Sequence, residues 1–481
     1  MTFAERLAEH AARRDAVPAL VTPRATLTYG ALAHEAGRLA GALCRNGVDG
    51  TGIVGVTVRG EVDHLVVTLA LLVLGAPMVA LASREPAASR VRLAARVGVR
   101  LVLGDQPGDA IEGLRFVALA AVRAEAGAAE VARSGRSRDP SRPLLYLTGS
   151  GTTGEPKIIA YAERDLAQHA EAHIDFSRER VLRPAHVEYN NSKRMRLYTL
   201  WQGGTCILAD GAVDALSVLC ARHDATWLEL SPIHGASLLA AVRAHGPLPA
   251  RTKVRIGGAR VPIALRRAIL AEATPRLYVS YGTTETSFVS IAGPAMHDAR
   301  ESVGPPTAGA EVEVLRADRA RAAPGESGTI RLRTPGMATG YVGDDGATAQ
   351  HFRDGWFEPG DLATLDADGQ LVIHGRADDM MIMNGINIYP VEIERILERH
   401  PAVESAAAFP LASDMHGQIP VAAVELRAGM RCAGGELVAF ARDALGMRGP
   451  RRVEVLAALP RNPQGKVLKR ELAAGFARGE E

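Results

Sequence analysis

The segment Leu147-Thr148-Gly149-Ser150-Gly151-Thr152-Thr153-Gly154-Glu155-Pro156-Lys157 constrains this chain more than any other. It follows the apolar, strand-like run Leu144 to Leu147 and crowds glycines and hydroxyls around one lysine. Glycines let a backbone approach an anion closely, and neighbouring N–H and O–H groups can converge on it while Lys157 supplies charge. Such a loop suits phosphate. A Walker A loop needs lysine and then Ser or Thr straight after its second glycine, whereas Gly154 is followed by Glu155 and Pro156, so this is not a P-loop NTPase. Ile158-Ile159-Ala160-Tyr161 predicts a second strand, so the loop caps a hairpin and not a helix. Standing alone, the segment also admits the lesser reading of a flexible Gly/Ser/Thr surface turn.

A chain of 481 residues, 47% of them hydrophobic, can bury large cores and predicts more than one domain, a big one and a small one. A net charge of +2 and only 4% aromatic residues give neither a basic stripe nor a base-stacking surface, so no nucleic acid is expected as a partner. Cys44, Cys206, Cys220 and Cys432 form no CxxC pair, which fits reduced thiols and predicts no structural metal. Glu5, Arg6 and Glu9 interrupt the N-terminus where a signal peptide would be basic and then apolar, so a cytoplasmic protein is expected. Leu65 to Ala82 is apolar, but Gly75-Ala76-Pro77 breaks it and predicts a buried helix followed by a buried strand, with no membrane insertion.

Helical patterns at Tyr29 to Asn46, Glu61 to Leu74 and Ser89 to Val97 alternate with β-rich runs at Gly52 to Val58, Met78 to Ala82 and Leu101 to Leu103. That alternation predicts α/β layering with largely parallel sheets. Ser134 to Pro143 reads as a linker into the phosphate loop, and further strands are expected at Lys253 to Ile256, Glu311 to Leu315 and Gly328 to Leu332. Past Arg376 the character changes. Met380 to Met383, Asn384-Gly385 and Ile386 to Tyr389 predict a hairpin, then Pro390 opens a helix with Val391, Ile393, Ile396 and Leu397 as its apolar stripe and Glu392, Glu394 and Glu398 on other faces. A small α+β domain begins there.

Four further segments share the chain with the phosphate loop: Tyr281-Gly282-Thr283-Thr284-Glu285, Gly355-Trp356-Phe357-Glu358-Pro359-Gly360-Asp361, Gly375-Arg376-Ala377-Asp378-Asp379 and Asn462-Pro463-Gln464-Gly465-Lys466. Five such motifs in order and at this spacing make the chain resemble the adenylate-forming superfamily, which includes acyl-CoA synthetases, aryl acid-activating enzymes, peptide synthetase adenylation domains and luciferase. The resemblance implies an α/β fold: a large N-terminal domain of layered, mostly parallel sheets with a small distorted β-barrel, residues 1–377, and a small mobile α+β domain, residues 378–481, hinged at Asp378. It implies ATP-dependent activation of a carboxylic acid, in which the acid attacks the α-phosphorus and pyrophosphate leaves, so that the site must gather negative charge.

By the same resemblance, Thr148, Ser150, Gly151, Thr152, Thr153, Gly154 and Lys157 hold the β- and γ-phosphates. Glu285 carries Mg²⁺ and Thr284 touches the α-phosphate. Tyr281, Gly282 and Thr283 flank the nucleotide, and Gly258, Ala259 and Arg260 contact the adenine edge. Asp361 accepts the ribose hydroxyls, and Arg376 donates to ribose or phosphate. Lys466 bridges the acid and the α-phosphate, then leaves when the small domain rotates. By itself, a lysine in a Pro-Gln-Gly turn is usually a solvated surface group.

The acid pocket falls to Tyr189, Asn190, Gly282 and Thr286, where Glu188-Tyr189-Asn190-Asn191-Ser192 aligns loosely with the family's Phe-Asp-x-Ser element. Amino acid-activating members carry aspartate where Asn190 stands, and a neutral amide cannot offset a buried ammonium, so an acid without an α-amine, aryl or hydroxylated, is expected. Glu188 is a rival carboxylate. Arg194 and Arg196 could bind a second substrate carboxylate or be solvated. His169 and His173 share a helical spacing without a metalloprotease glutamate and read as an exposed face, and the pair Arg266-Arg267 reads as solvated. Two positions depart from the family, Ile382 for lysine and Pro359 for threonine. The acceptor is expected to be the thiol of CoA or of a separate carrier protein, with an amine as runner-up. A regulator that binds nucleotide without chemistry would not need Lys157, Glu285, Asp361 and Lys466 together.

Overall fold

The computed structural model describes residues 1–126, 139, 141–149, 156–172, 174–209, 211, 215–297, 300–383, 386–413, 417–462 and 465–478. Two parallel-rich sheets dominate its first 300 residues. One has six strands in the order Arg115–Ala118, Val99–Gly104, Ile53–Thr57, Met78–Ala80, Pro143–Gly149, Lys157–Ala162. The last two are antiparallel, so the strands flanking the phosphate loop do form a hairpin. The loop residues Ser150, Gly151, Thr152, Thr153 and Gly154 lie outside the described residues.

The other sheet has eight strands in the order Ser287–Ala292, Leu277–Thr283, Lys253–Gly257, Trp227–Leu230, Arg180–Arg183, Thr205–Leu208, Pro18–Val21, Thr26–Thr28, antiparallel only at its two ends. One core joins side chains of both sheets, such as Val56, Leu147, Leu20 and Leu208, through the helices Tyr29–Arg45, Glu61–Leu74 and Asn190–Gln202. The helix Glu61–Leu74 coincides with its expected bounds. Acidic Glu61 and Asp63 favour its first turn, and Gly75 at φ 65° ends it in the left-handed conformation before the strand Met78–Ala80. Among the described residues no helix is long and apolar enough to cross a membrane.

The third sheet, residues 311–376, is antiparallel and has six strands, among them Ser327–Arg333, Asp361–Leu365 and Leu371–Arg376. It stays open where a small barrel was expected. Its edges, Phe352–Arg353 and Leu371–Arg376, do not pair with each other among the described residues, and strands two residues long supply too little ladder to close a barrel.

After Arg376 comes a five-stranded sheet with its own core of Met381, Met383, Ile393, Leu397, Ala408 and Val424. Met381–Met383 pairs with Ile386–Ile388 as expected, the turn itself lying outside the described residues, and Pro390 takes the first position of the helix Pro390–Leu397. Glu394 and Glu398 do not project into water as the stripe predicted. Glu394 is buried, and both carboxylates turn towards cations described below.

Two other surface assignments fail for a shared reason, because the partners are remote in sequence. Arg266 is 1% exposed and donates to the carbonyls of Val261, Glu301 and Ser302 at 2.9, 3.1 and 2.6 Å. His169 is 3% exposed and sits 3.1 Å from the Tyr198 hydroxyl, while His173 lies outside the described residues. Arg266→Ala removes a fully buried donor and strands its acceptors; unfolding in urea is expected to show a loss of about 2 kcal/mol or more, whereas Arg267→Ala leaves the midpoint unchanged.

Candidate active site

The strand Asp361–Leu365 pairs with Leu371–Arg376 so that Asp361 faces Arg376 directly across the ladder. The Asp361 carboxylate accepts from the Tyr281 hydroxyl at 2.5 Å and lies 3.5 Å from the Arg376 guanidinium. Tyr281 arrives on the strand Leu277–Thr283 of the eight-stranded sheet, so two sheets meet at this carboxylate. Burial pushes the Asp361 carboxyl up, and the Tyr281 bond with the charges of Arg376 and Lys466 pulls against that. Gly360, at φ 82°, permits the approach, since a Cβ there would stand 3.1 Å from the Arg376 guanidinium. Arg376 also donates to the Pro359 carbonyl and, at 3.0 Å, to Asp378.

Lys466, near the end of the chain, is exposed and lies close enough for its charge to act on Asp361. Its turn closes when the Lys466 amide donates to the Asn462 side chain and the Asn462 amide to the Lys466 carbonyl, both at 2.9 Å. Gly465, at φ 83°, lets this turn press on the helix Pro232–His245, because a Cβ there would come within 2.8 Å of Ile233. Pro463 and Gln464 lie outside the described residues.

Lys157 and Glu285 meet at Tyr341. The Lys157 ammonium lies over the Tyr341 ring, 4.7 Å from its centre, and the Tyr341 hydroxyl donates to Glu285 at 2.8 Å. Burial lowers the Lys157 pKa, opposed by Glu285. The backbone of the turn Thr283–Thr286 is held from beneath. The Tyr161 hydroxyl lies 2.6 and 2.8 Å from the carbonyl oxygens of Thr284 and Glu285, Arg194 donates to Thr284 at 3.1 Å, and Thr334 donates to the Thr286 carbonyl at 2.7 Å. Gly282 is required at the bulge, since a Cβ would strike the Ser287 carbonyl at 2.0 Å. Thr283 accepts from the Thr286 amide at 3.1 Å.

Two groups thus form, Tyr281 with Asp361, Arg376 and Asp378, and Lys157 with Glu285 through Tyr341, and the chain from Tyr281 through Gly282, Thr283 and Thr284 to Glu285 joins them. The acid-pocket residues are less open than expected. Asn190 spends its amide on the Thr148 carbonyl and hydroxyl at 2.7 and 3.0 Å, Tyr189 precedes the helix Asn190–Gln202 as its cap, and Thr286 is fully buried against a small cavity shared with His169, Ser287 and Phe288. Glu188 is committed to Ser83, accepting from its amide and hydroxyl at 2.8 and 2.9 Å. Ile382 is 50% exposed. Tyr161 and Tyr341 were not singled out from sequence; only the inward alternation of Ile159 and Tyr161 on their strand hinted at one of them.

Gly258, at φ 87°, and Ala259 follow the strand Lys253–Gly257 beside open space. Arg260 turns elsewhere. Its guanidinium lies 2.8 Å from Glu301, 2.9 Å from Glu398 and 3.9 Å from Glu394, while Arg395 reaches Glu301 at 3.0 Å and Lys469 reaches Glu394 at 2.6 Å. Burial works against the Glu301 carboxylate, but Arg260 and Arg395 outweigh it and hold its pKa down at about 2. At Glu398 burial prevails over Arg260 and is reinforced by Glu394, pushing the pKa up to about 7.

The AMP-binding enzyme model matches residues 7–342, and the model of the AMP-binding enzyme C-terminal domain matches residues 392–466. The chain belongs to the AMP-binding enzyme family. It is 33% identical over 347 residues to a sulfoacetate–CoA ligase of Cupriavidus necator, covering 69% of this chain and 67% of that protein. It is 27% identical to a fatty acid–[acyl-carrier-protein] ligase of Streptomyces coeruleorubidus over 99% of this chain and 96% of that one. The o-succinylbenzoate CoA synthetase of Bacillus subtilis, solved with its acyl-adenylate intermediate, shares the fold at TM-score 0.87 and 24% identity, covering 97% of each chain.

A carboxyl whose folded pKa exceeds its unfolded value favours folding while protonated and loses that contribution as pH rises through the folded value. For Glu398 the window runs from the usual 4.5 to about 7. Glu398→Gln is therefore expected to melt at the same temperature as the parent near pH 4.5 and higher at pH 8. Equal melting at both values would show that the carboxylate is not desolvated.

Proposed function

We propose that the chain is an AMP-forming acid–thiol ligase that activates a carboxylic acid with ATP and passes the acyl group to a thiol. The observation that carries this reading is the cluster of Tyr281, Asp361 and Arg376, with Lys466 close enough for its charge to act on Asp361 from 105 residues further along the chain. In the first half-reaction a carboxylate oxygen bonds to the α-phosphorus as the bond to the bridging oxygen of pyrophosphate breaks. In the second, a thiol bonds to the acyl carbon and AMP leaves. Both partners of the first step are anions, so the barrier falls where fixed cations and donors face them.

In this reading Asp361 accepts the ribose hydroxyls, Tyr281 presents its ring to adenine with Gly258 and Ala259 at the edge, and Arg376 donates to ribose or phosphate. Thr148 and Lys157 serve the β- and γ-phosphates with the glycine-rich loop, and Thr284 serves the α-phosphate. Lys466 bridges the carboxylate and the α-phosphate. Mg²⁺ would neutralise phosphate charge. The Glu285 carboxylate, oriented by Tyr341, offers the hard oxygen such an ion takes, and among the described residues no cluster of three His, Cys, Asp or Glu could hold a metal without the nucleotide's own oxygens.

We place the domain boundary at about residue 377, with Asp378 as hinge. Sheet and core both change there, and the ion pairs from Arg260 and Glu301 to the helix Pro390–Leu397 are contacts that a rotation would have to exchange. Coenzyme A and a carrier-protein phosphopantetheine both offer the required thiol, and the named relatives include a ligase for each.

Acid-dependent ATP–pyrophosphate exchange tests the reading. Lys466→Ala is expected to lower exchange by about 10²-fold or more while leaving nucleotide binding within a few-fold, and Asp361→Ala to raise the KM for ATP. Undiminished exchange in Lys466→Ala would remove that residue from the reaction. Release of a hydroxamate with hydroxylamine but no thioester with CoA or a carrier protein would move the acceptor to an amine.

A further inference from the structure

The floor of the site holds more buried positive charge than the protein neutralises. The helix Asn190–Gln202 is buried along most of its length yet carries Lys193, Arg194 and Arg196, exposed by only 1, 3 and 2%. Glu188 favours the Lys193 ammonium, and Glu61 pairs with Arg196 at 2.9 Å. Arg194 has no such counter-ion. Among the described residues no carboxylate lies within ion-pair distance of it. Its guanidinium donates to the Thr284 carbonyl at 3.1 Å and to Tyr198, rests over the Tyr161 ring, and leaves Nε without a bond.

The neighbouring layer repeats the imbalance. Arg183 and Arg255 share one carboxylate, Glu229, at 2.8 and 2.9 Å, and Trp227 donates to it as well. Arg183 also leaves Nε without a bond. Arg255 stacks on Phe288 at 4.8 Å and touches Met195, next to Arg194, at 3.5 Å. Glu229 thus serves two guanidiniums at once in a region shielded from water, and leaves nothing for Arg194. A desolvated guanidinium with only neutral acceptors is costly, and its planar fork matches an oxyanion.

ATP does not cancel this charge, because its phosphates have Lys157, Arg376 and Lys466. The reacting carboxylate does not cancel it either, since that group must stay free to attack phosphorus. We infer that the acid activated here carries a second anionic group, a carboxylate or sulfonate, with Arg194 as its counter-ion. The inference rests on the acid-activation reading. The second group forms and breaks no bond; only the first carboxylate exchanges with pyrophosphate.

Exchange rates across matched acids test it: butanoate, succinate and 3-sulfopropanoate, then benzoate, isophthalate and 3-sulfobenzoate. The doubly anionic members are expected to exceed their monoacid by about tenfold or more in kcat/KM, the worth of one charge-assisted bond, and the two arms tell carboxylate from sulfonate. In Arg194→Gln that ratio should fall to near one, whatever loss of rate or stability both members of a pair share, and Arg194→Lys should restore part of it. A wild-type protein that prefers monoacids, or an Arg194→Gln that keeps the parent's ratio, would overturn the assignment. If the variant does not fold, the wild-type ratio alone decides. No exchange with any acid of either kind, with ATP still bound, would overturn acid activation itself and is a distinct result.

Discussion

Glu301 is the interaction on which the placement of the last hundred residues turns. It is 3% exposed, sits at φ 59°, and accepts from Arg260, from the Ile263 amide and from Arg395. A non-glycine residue at that φ costs on the order of 1 kcal/mol, so the surroundings must hold it there. Arg266 does so, by donating to the Glu301 and Ser302 carbonyls. A buried carboxylate with three donors is strongly held as a set and severely destabilising when one partner is removed. Because Arg395 lies on the helix Pro390–Leu397 and Glu398 caps it, this node joins the small sheet to the body that carries Tyr281, and so governs where Lys466 comes to rest.

Such a node suits an element that, on the proposed reading, is placed and then released. Apolar cores weld surfaces together over their whole area, whereas a cluster of ion pairs is directional and can be replaced by water when the surfaces part. The two cores on either side of residue 377 are separate, and Gly465 against Ile233 adds a contact a few atoms wide.

Local patterns announced the elements and misjudged the charges. The hairpin around the phosphate loop, the helix Glu61–Leu74 and the strand Glu311–Leu315 were legible because periodicity and caps are properties of neighbouring residues. The open third sheet was not, since closure depends on pairing between strands far apart in sequence. The same limit explains Arg266, His169, Arg194 and Glu394. Each reads as solvated from its own segment, and each is buried beside partners such as Ala408, Tyr198, Glu301 and Thr284, between 14 and 90 residues away, that local pattern cannot supply. Among site residues, Asp361, Arg376 and Lys466 were legible only through their motifs. Tyr341 lay outside every motif considered, and Arg260 left its expected place at the adenine edge because three glutamates compete for it.

The turn Thr283–Thr286 shows why these buried groups matter to chemistry. Tyr161, Arg194 and Thr334 hold its carbonyls from within, so the Thr284 and Glu285 side chains are oriented when the chain folds and not when substrate arrives. Donors and ligands fixed beforehand do not have to reorganise as charge develops on a phosphoryl oxygen, which is where an enzyme gains most over water. Arg194 takes part in both tasks. One of its nitrogens braces the turn, and its Nε has no bond within the protein. An anionic group docked there would fix Arg194 more firmly, and through the Thr284 carbonyl would steady the residues that act on ATP. Recognition of the acid and activation of its carboxylate would then depend on one side chain.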